Sequence, residues 1–195
     1  MTVAWGLPGL AEAGVSMTAD GGIAVDDEMR TTAPGIFAAG DVTGRDMYVY
    51  MAAYAGKIAA ENALGGDARR YDNSAMPGVT FTDPQVAHVG LTESQARESH
   101  GHKAMVSDLP MGRVDRAVIE GEATGFIKLI HLPNGKLLGA TVVAPRAGEM
   151  IHEWSLALDR GLKLPQLARS VHVYPTYSIS NQQLAVRLTM DRMLT

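Results

Sequence analysis

The 195-residue sequence contains no cysteine. Disulfides and thiolate chemistry are therefore excluded for these residues, since both need the thiol. Long apolar runs are also missing. None approaches the ~18 residues that would span a bilayer, so no membrane partner is expected. The two signs of charge are nearly balanced, with 17 Lys and Arg against 21 Asp and Glu, a net charge of −4. That argues against nucleic acid, which needs a basic face. Aromatics are few at 6%. The start, Met1-Thr2-Val3-Ala4-Trp5-Gly6-Leu7-Pro8, has no basic segment followed by an apolar core, so no signal peptide is read. With 46% hydrophobic and 19% charged residues, the balance is that of an ordinary globular protein, and a soluble cytoplasmic one is the expectation.

What is present centres on Ile36-Phe37-Ala38-Ala39-Gly40-Asp41-Val42. Four apolar residues after the turn signal Thr31-Thr32-Ala33-Pro34-Gly35 predict a short strand covered on both faces, as in a parallel sheet. Gly40 permits close approach of a ligand or another backbone, because it has no Cβ. Asp41 would sit at the carboxyl end of that strand, before a helix from about Tyr48 to Leu64. It could accept hydrogen bonds from a ribose or ribityl chain, or it could merely cap the helix. The helix carries a small-residue face, Ala52, Ala55, Gly56, Ala59 and Ala60. Tyr48, Tyr50 and Tyr54 could stand near a flavin, although ordinary packing is the commoner role of such tyrosines.

Upstream, Gly9 to Ala13 reads as a short helical piece ended by Gly14, and Asp20 to Asp26 as a tight turn and strand. Downstream, Gly65 to Ser74 reads as a linker, with glycines, charges and no apolar period. The expected domains are 1–66, a linker at 67–75, and 76–195. In the last, strands are predicted at Pro77–Thr82, Gln85–Gly90 and Met105–Val114, the third bending at Pro110. Two more flank the hairpin signal Pro133-Asn134-Gly135. Thr92 and Gln95 form a capping-box pattern. An apolar stripe at Met150, Ile151, Trp154 and Leu158 marks a helix, and further helices are read at Leu164–Ala168 and Ser178–Met193. The fold class is α+β, an antiparallel sheet with helices on one side, preceded by a partial α/β segment. The histidines show no metal-ligand spacing and no metal site is expected.

Thr31 to Gly44 resembles the second flavin motif of the pyridine nucleotide-disulfide oxidoreductases, T-x-x-P-x-(I/V)-(F/Y)-A-x-G-D, with every defined position matched. Phe81-Thr82-Asp83-Pro84-Gln85-Val86-Ala87-His88-Val89-Gly90-Leu91-Thr92-Glu93, Gly125-Phe126-Ile127-Lys128-Leu129, Leu138-Gly139-Ala140 and Gly148-Glu149-Met150-Ile151 resemble its C-terminal interface domain. The resemblance is closest to the mercuric reductase and dihydrolipoamide dehydrogenase branches. It implies that FAD is the cofactor, that Gly40, Asp41, Met47 and Tyr48 lie at it, and that the chain forms a homodimer. It also implies that the sequence begins within the family fold. The redox cysteine pair and both G-x-G-x-x-G nucleotide loops of the family have no counterpart here, so FAD binding to this chain alone is expected to be weak or absent.

The family's H-P-T-x-(S/A)-E pattern aligns through Pro175-Thr176, placing Tyr174 at the catalytic histidine and Ile179 at the glutamate. His172 lies two residues earlier and would face the same side ~6–7 Å away on an extended segment; the role is not transferred to it. Tyr174 at this position resembles the mercuric reductase branch, although that branch's C-terminal cysteine pair is also missing. Tyr174 is therefore either a substrate-facing residue or a structural one at the dimer interface. Two readings follow. One is the dimerisation portion of an FAD-dependent, NAD(P)H-using oxidoreductase, inactive as the isolated chain. The other is a stand-alone homodimerisation module without redox function.

Overall fold

The structure, a computed structural model, describes residues 8–66 and 68–194. The reading of the first seven residues lies outside these. The chain divides into two compact units, Met1–Asp72 and Asn73–Thr195.

The first unit is built largely from turns. Gly9 to Val15 closes as hydrogen-bonded turns, with Ala13 N–H on Gly9 O. Isolated bridges pair Met17 with Ile23, Val25 with Thr31 and Arg30 with Phe37. The parallel strand expected at Ile36–Ala39 does not form: among the described residues it makes the single bridge at Phe37, and Ile36 is exposed. A strand exists only where a neighbour takes its N–H and C=O groups; here Thr31 and Met29 take just two, through Ile36 O and Ala38 N–H. A small core of Val15, Ile23 and Ala33 holds the turns together. Gly22 permits their closest approach, because a Cβ there would lie 2.4 Å from Thr43 O.

The helix predicted after Asp41 is present as α1, Val49–Ala63. Its alanine-rich sequence has high helix propensity, and it buries Met51, Ala55, Ile58, Ala59 and Asn62. The close approach foreseen at Gly40 is made by this helix. Gly40 has φ +79°, and a Cβ there would stand 3.2 Å from Ala52 Cβ. Arg69 to Asp72, read as linker, is held against the unit. Asn62 donates to Glu28 O and Arg69 O and accepts from Arg69 N–H. Tyr71 donates to Asp46 and stacks its ring under Arg45, 4.7 Å from the centroid.

The second unit carries the predicted antiparallel sheet. Its strands are β1 (Gly78–Thr80), β2 (Gln85–Gly90), β3 (Met105–Pro110), β4 (Phe126–His131) and β5 (Leu137–Ala144), in the order β1-β2-β5-β4-β3 with every pairing antiparallel. The third strand stops at Pro110, and Met111–Arg113 continues as a 3₁₀ turn, consistent with proline's missing N–H. Asn134 fixes the β4–β5 turn by accepting from Lys136 N–H. The helix α2 (Glu93–His100) opens on the complete Thr92–Gln95 capping box. The apolar stripe from Met150 forms α4 (Ala147–Asp159), and the helices read at Leu164–Ala168 and Ser178–Met193 form α5 (Leu164–Leu167) and α6 (Ile179–Met193), each one residue shorter than read. Unforeseen is α3, Asp115–Glu120. It is six residues long without a side-chain cap, too short for an apolar period to show.

The core lies between the sheet and α4, with α5 and α6 completing it. Ile127, Leu129, Val142, Ile151, Trp154, Leu164 and Leu184 are fully enclosed. A smaller cluster, Ala96, Ala104, Ile130 and Leu138, seats α2.

Candidate functional site

Two groups of predicted residues fall in the two units. In the first, Asp41 begins a 3₁₀ turn, Asp41–Thr43, whose Thr43 hydroxyl donates to Gly40 O. The Asp41 carboxylate is at the surface and caps no helix: the N-cap of α1 is Tyr48. The Tyr48 side chain makes no cap hydrogen bond to α1. Tyr48 and Tyr50 stack on each other with centroids 5.3 Å apart and planes at 21°. Met47 is exposed beside them. Tyr54 packs inward on Tyr71 instead. Asp41, Met47 and Tyr48 are exposed, and Gly40 is half-buried beside Ala52.

In the second unit, the segment from Ser170 to Ser178 joins α5 to α6. Tyr174 is 62% exposed and donates its hydroxyl to Asp115 Oδ2 at 2.9 Å. That hydrogen bond, reinforced by the negative charge of Asp115, raises the phenol above its ordinary range. Tyr174 is thus held as a neutral donor and is not a base in this geometry. Tyr177, buried, donates to Glu120 Oε2 at 2.9 Å. Burial first, and then Glu120, push it up to about 12. Both carboxylates belong to α3, so the unforeseen helix is what grips this segment.

His172 does not accompany Tyr174. The expectation of a shared side fails because the segment is bent rather than a regular strand. His172 Nε2 lies 2.9 and 3.0 Å from the two oxygens of Glu153 on α4. Glu153 also accepts from Asn181 Nδ2 at 2.9 Å. Asn181 in turn donates to Met150 O and accepts from the Trp154 indole N–H at 2.9 Å. The result is a connected network, Trp154–Asn181–Glu153–His172, that starts in the core and ends at the surface. Sequence reasoning missed Glu153. The available signal was its place at i+3 from Met150 and one before Trp154, a carboxylate within the buried stripe, where an unpaired charge is costly.

Two other histidines make structural contacts. His88 bonds Thr141 and Gly90 O across the β2–β5 pair. His131, 2% exposed, bonds Ser107 and Leu132 O, and burial lowers its affinity for a proton below the ordinary imidazole value. Among the described residues no three His, Cys, Asp or Glu gather in a cluster that would hold a metal ion, and no helix is long and apolar enough to cross a membrane.

Comparison with known proteins places the chain in a lineage. Residues 76–185 match the family model described as pyridine nucleotide-disulphide oxidoreductase, dimerisation domain, and residues 6–56 that described as pyridine nucleotide-disulphide oxidoreductase. A mercuric reductase of Bacillus cereus is 43% identical over 184 residues, covering 94% of this chain and 29% of the relative. A dihydrolipoyl dehydrogenase of Geobacillus stearothermophilus is 37% identical, covering 86% of this chain and 36% of the relative. The solved structure of LpdA from Mycobacterium tuberculosis superposes with a TM-score of 0.89 at 32% identity, over 96% of this chain and 41% of that one. The HOCl-induced flavoprotein disulfide reductase RclA from Escherichia coli superposes with a TM-score of 0.87 at 30% identity, over 95% of this chain and 43% of that one. The chain thus spans less than half the length of these relatives. With its matched interface sheet and flavin-type motif, it belongs to the pyridine nucleotide-disulphide oxidoreductases and carries their dimerisation domain.

Proposed function

We propose that this chain is the homodimerisation portion of an FAD-dependent, NAD(P)H-using disulfide oxidoreductase of the mercuric-reductase-like type, and that the chain alone forms the dimer without catalysing the redox reaction. The domains in this reading are the flavin-domain segment at 1–66, the connection at 67–75 and the interface domain at 76–195.

The observation that carries the reading is the surface of the second unit. The segment that holds Tyr174 also presents Val171, 96% exposed, and Val173, 75% exposed. It is tied by Tyr174 and Tyr177 to α3, which exposes Val118 and Ile119, and by His172 to α4, which exposes Leu156. These linked segments all leave large apolar side chains in water, exposure of the kind that an association surface would cover. Covering Val171 and Val173 alone would gain about 1–2 kcal/mol for each side chain. A second copy fits the patch because the domain is matched to a dimerisation family, and a two-fold interface is self-complementary. In that arrangement Tyr174 faces the partner's substrate site.

The first unit supplies the other half of the reading. In this reading Asp41 and the start of α1 lie towards the ribityl chain and ring end of a flavin. The carboxylate accepts hydroxyl hydrogens, and the helix N–H groups favour negative charge on the ring. The FAD supplies the hydride and electron transfer, while these residues orient it. Among the described residues there is no glycine-rich turn between a strand and a helix to hold the pyrophosphate. The expectation for the isolated chain is therefore weak FAD binding or none. A stand-alone interaction module is the second reading, favoured by the absence of cysteine and by the carboxylate-bound state of Tyr174. Sedimentation of the purified chain tests the shared part of both: a dimer that Val173→Asp dissociates supports them, and a monomer at tens of micromolar rejects them.

A further inference from the structure

The sheet order puts β3 at an outer edge, and an edge strand carries backbone groups that no neighbouring strand takes. Two hydrogen bonds fix which groups these are. Just past β3, Met111 N–H donates inward to Gly125 O, whereas Asp108 O accepts from Arg187 Nη2 on α6. In an antiparallel pair both backbone groups of a residue point the same way, and successive residues alternate. Met105, Ser107 and Leu109 therefore pair with His131, Leu129 and Ile127 of β4, while Val106 and Asp108 turn outward. Pro110, the next outward position, has no N–H to leave unpaired. What β4 does not take is thus the Val106 N–H, the Val106 carbonyl and the Asp108 N–H, with the Asp108 carbonyl already held by Arg187.

This edge forms one side of a groove of about 430 Å³, whose other side is α6 through Arg187, Leu188 and Asp191. Leu188, nearly buried, gives it an apolar contact. Arg113, in the 3₁₀ turn after β3, lines it as well. Arg113 is exposed, and among the described residues it makes no hydrogen bond or ion pair. Two guanidinium groups therefore line the groove with one carboxylate from α6. The Asp108 carboxylate is offset from elsewhere, since Lys128 stands directly opposite it on β4.

We infer that this groove takes a short extended peptide bearing an acidic side chain, added as a further strand beside β3. Strand addition uses the alternating donors and acceptors of an open edge, and a pocket alongside reads the side chains. Val106 would exchange both of its bonds with one peptide residue, and the Asp108 N–H would donate to the carbonyl of the residue two places on. The Asp108 carbonyl is closed by Arg187, so strand pairing stops there. Beyond that point charge holds the ligand, because a carboxylate meets Arg113 and Arg187 in charge-assisted hydrogen bonds. A free carboxylate would use the guanidinium groups but leave the Val106 carbonyl unmatched, since that acceptor calls for an N–H donor.

The test is an NMR titration of the isotope-labelled full chain with a blocked tetrapeptide of alternating valine and glutamate. The Val106 and Asp108 amides are expected to shift and to saturate with a dissociation constant below about 1 mM. Arg113→Gln, which removes no contact within the chain, is expected to weaken binding about three- to fivefold, the scale of an exposed charge pair. Lysine in place of glutamate in the peptide is expected to weaken it further. The same peptide N-methylated on the edge that faces β3 is expected not to bind. Succinate that shifts the two amides as strongly as the peptide would make the groove an anion site only and overturn the inference. Amides that do not move in excess peptide overturn it as well. Shifts of these amides with chain concentration alone would give the edge to a second copy, and that too overturns it.

Discussion

Replacing Asn181 by alanine probes the network from its buried end. The Asn181 side chain, 1% exposed, takes the Trp154 indole proton and gives its own to Met150 O and Glu153. Without it the Trp154 N–H, wholly enclosed, has no partner, which costs about 1–3 kcal/mol. The small void adds about 1 kcal/mol. The lost bond to Glu153 is partly screened by solvent and adds about 0.5 kcal/mol. The expected total is about 3 kcal/mol from the second unit, read by urea unfolding with Trp154 fluorescence in a Trp5→Phe background. Asn181→Asp is the companion. It restores the acceptor for Trp154 but puts a carboxylate oxygen where Nδ2 lay, 2.9 Å from Glu153 Oε2. Two like charges at that distance raise the pKa of one of them, so this variant is expected to be weak at neutral pH and to recover as the pH falls towards about 5. A loss below about 1 kcal/mol for Asn181→Ala, or no acid recovery for Asn181→Asp, refutes the reasoning.

Further predictions concern both units. Val173→Asp, at a surface position with no packing role in the monomer, is expected to weaken dimerisation at least about tenfold while changing the unfolding midpoint little; each step is read by sedimentation and by calorimetry. His131 gives a pH signature. Burial lowers its folded-state value from the ordinary 6.5, so the unfolded chain takes up the proton first. Stability is then full above about pH 6.5 and falls with acid towards the folded value, with a slope up to about 1.4 kcal/mol per pH unit. His131→Asn should lack that slope, so the slope should appear in the difference between the wild-type and variant stability curves. Gly40→Ala meets both a left-handed φ of +79° and the Ala52 methyl at 3.2 Å. It is expected to cost the first unit about 1–2 kcal/mol, seen as faster hydrogen exchange in α1 with the sheet domain unchanged.

What the sequence revealed and what it hid divide along physical lines. Local signals were legible. The Thr92 capping box, the Asn134-Gly135 turn and the apolar stripe of α4 are complete within a few residues, and each formed as read. Ile36–Ala39 has the composition of a buried strand, but strand formation depends on neighbours that composition does not report. The α3 helix escaped because it is only six residues long, and the Tyr174 and Tyr177 bonds that tie to it come from 59 and 57 residues away. Glu153 and His172, 19 residues apart, meet only once α4, α5 and α6 are packed. Asp41 was foreseen at the end of an apolar run before a helix. The structure separates it from the helix cap, because Tyr48 takes that position.

The measurement that bears most directly on the proposed function is native mass spectrometry of the purified chain after incubation with FAD. The expected result is a flavin-free dimer. A monomer would contradict the interface reading of the Val171–Tyr174 strip. One tightly retained FAD per chain would contradict the expectation that Asp41 and the start of α1 cannot hold the cofactor by themselves.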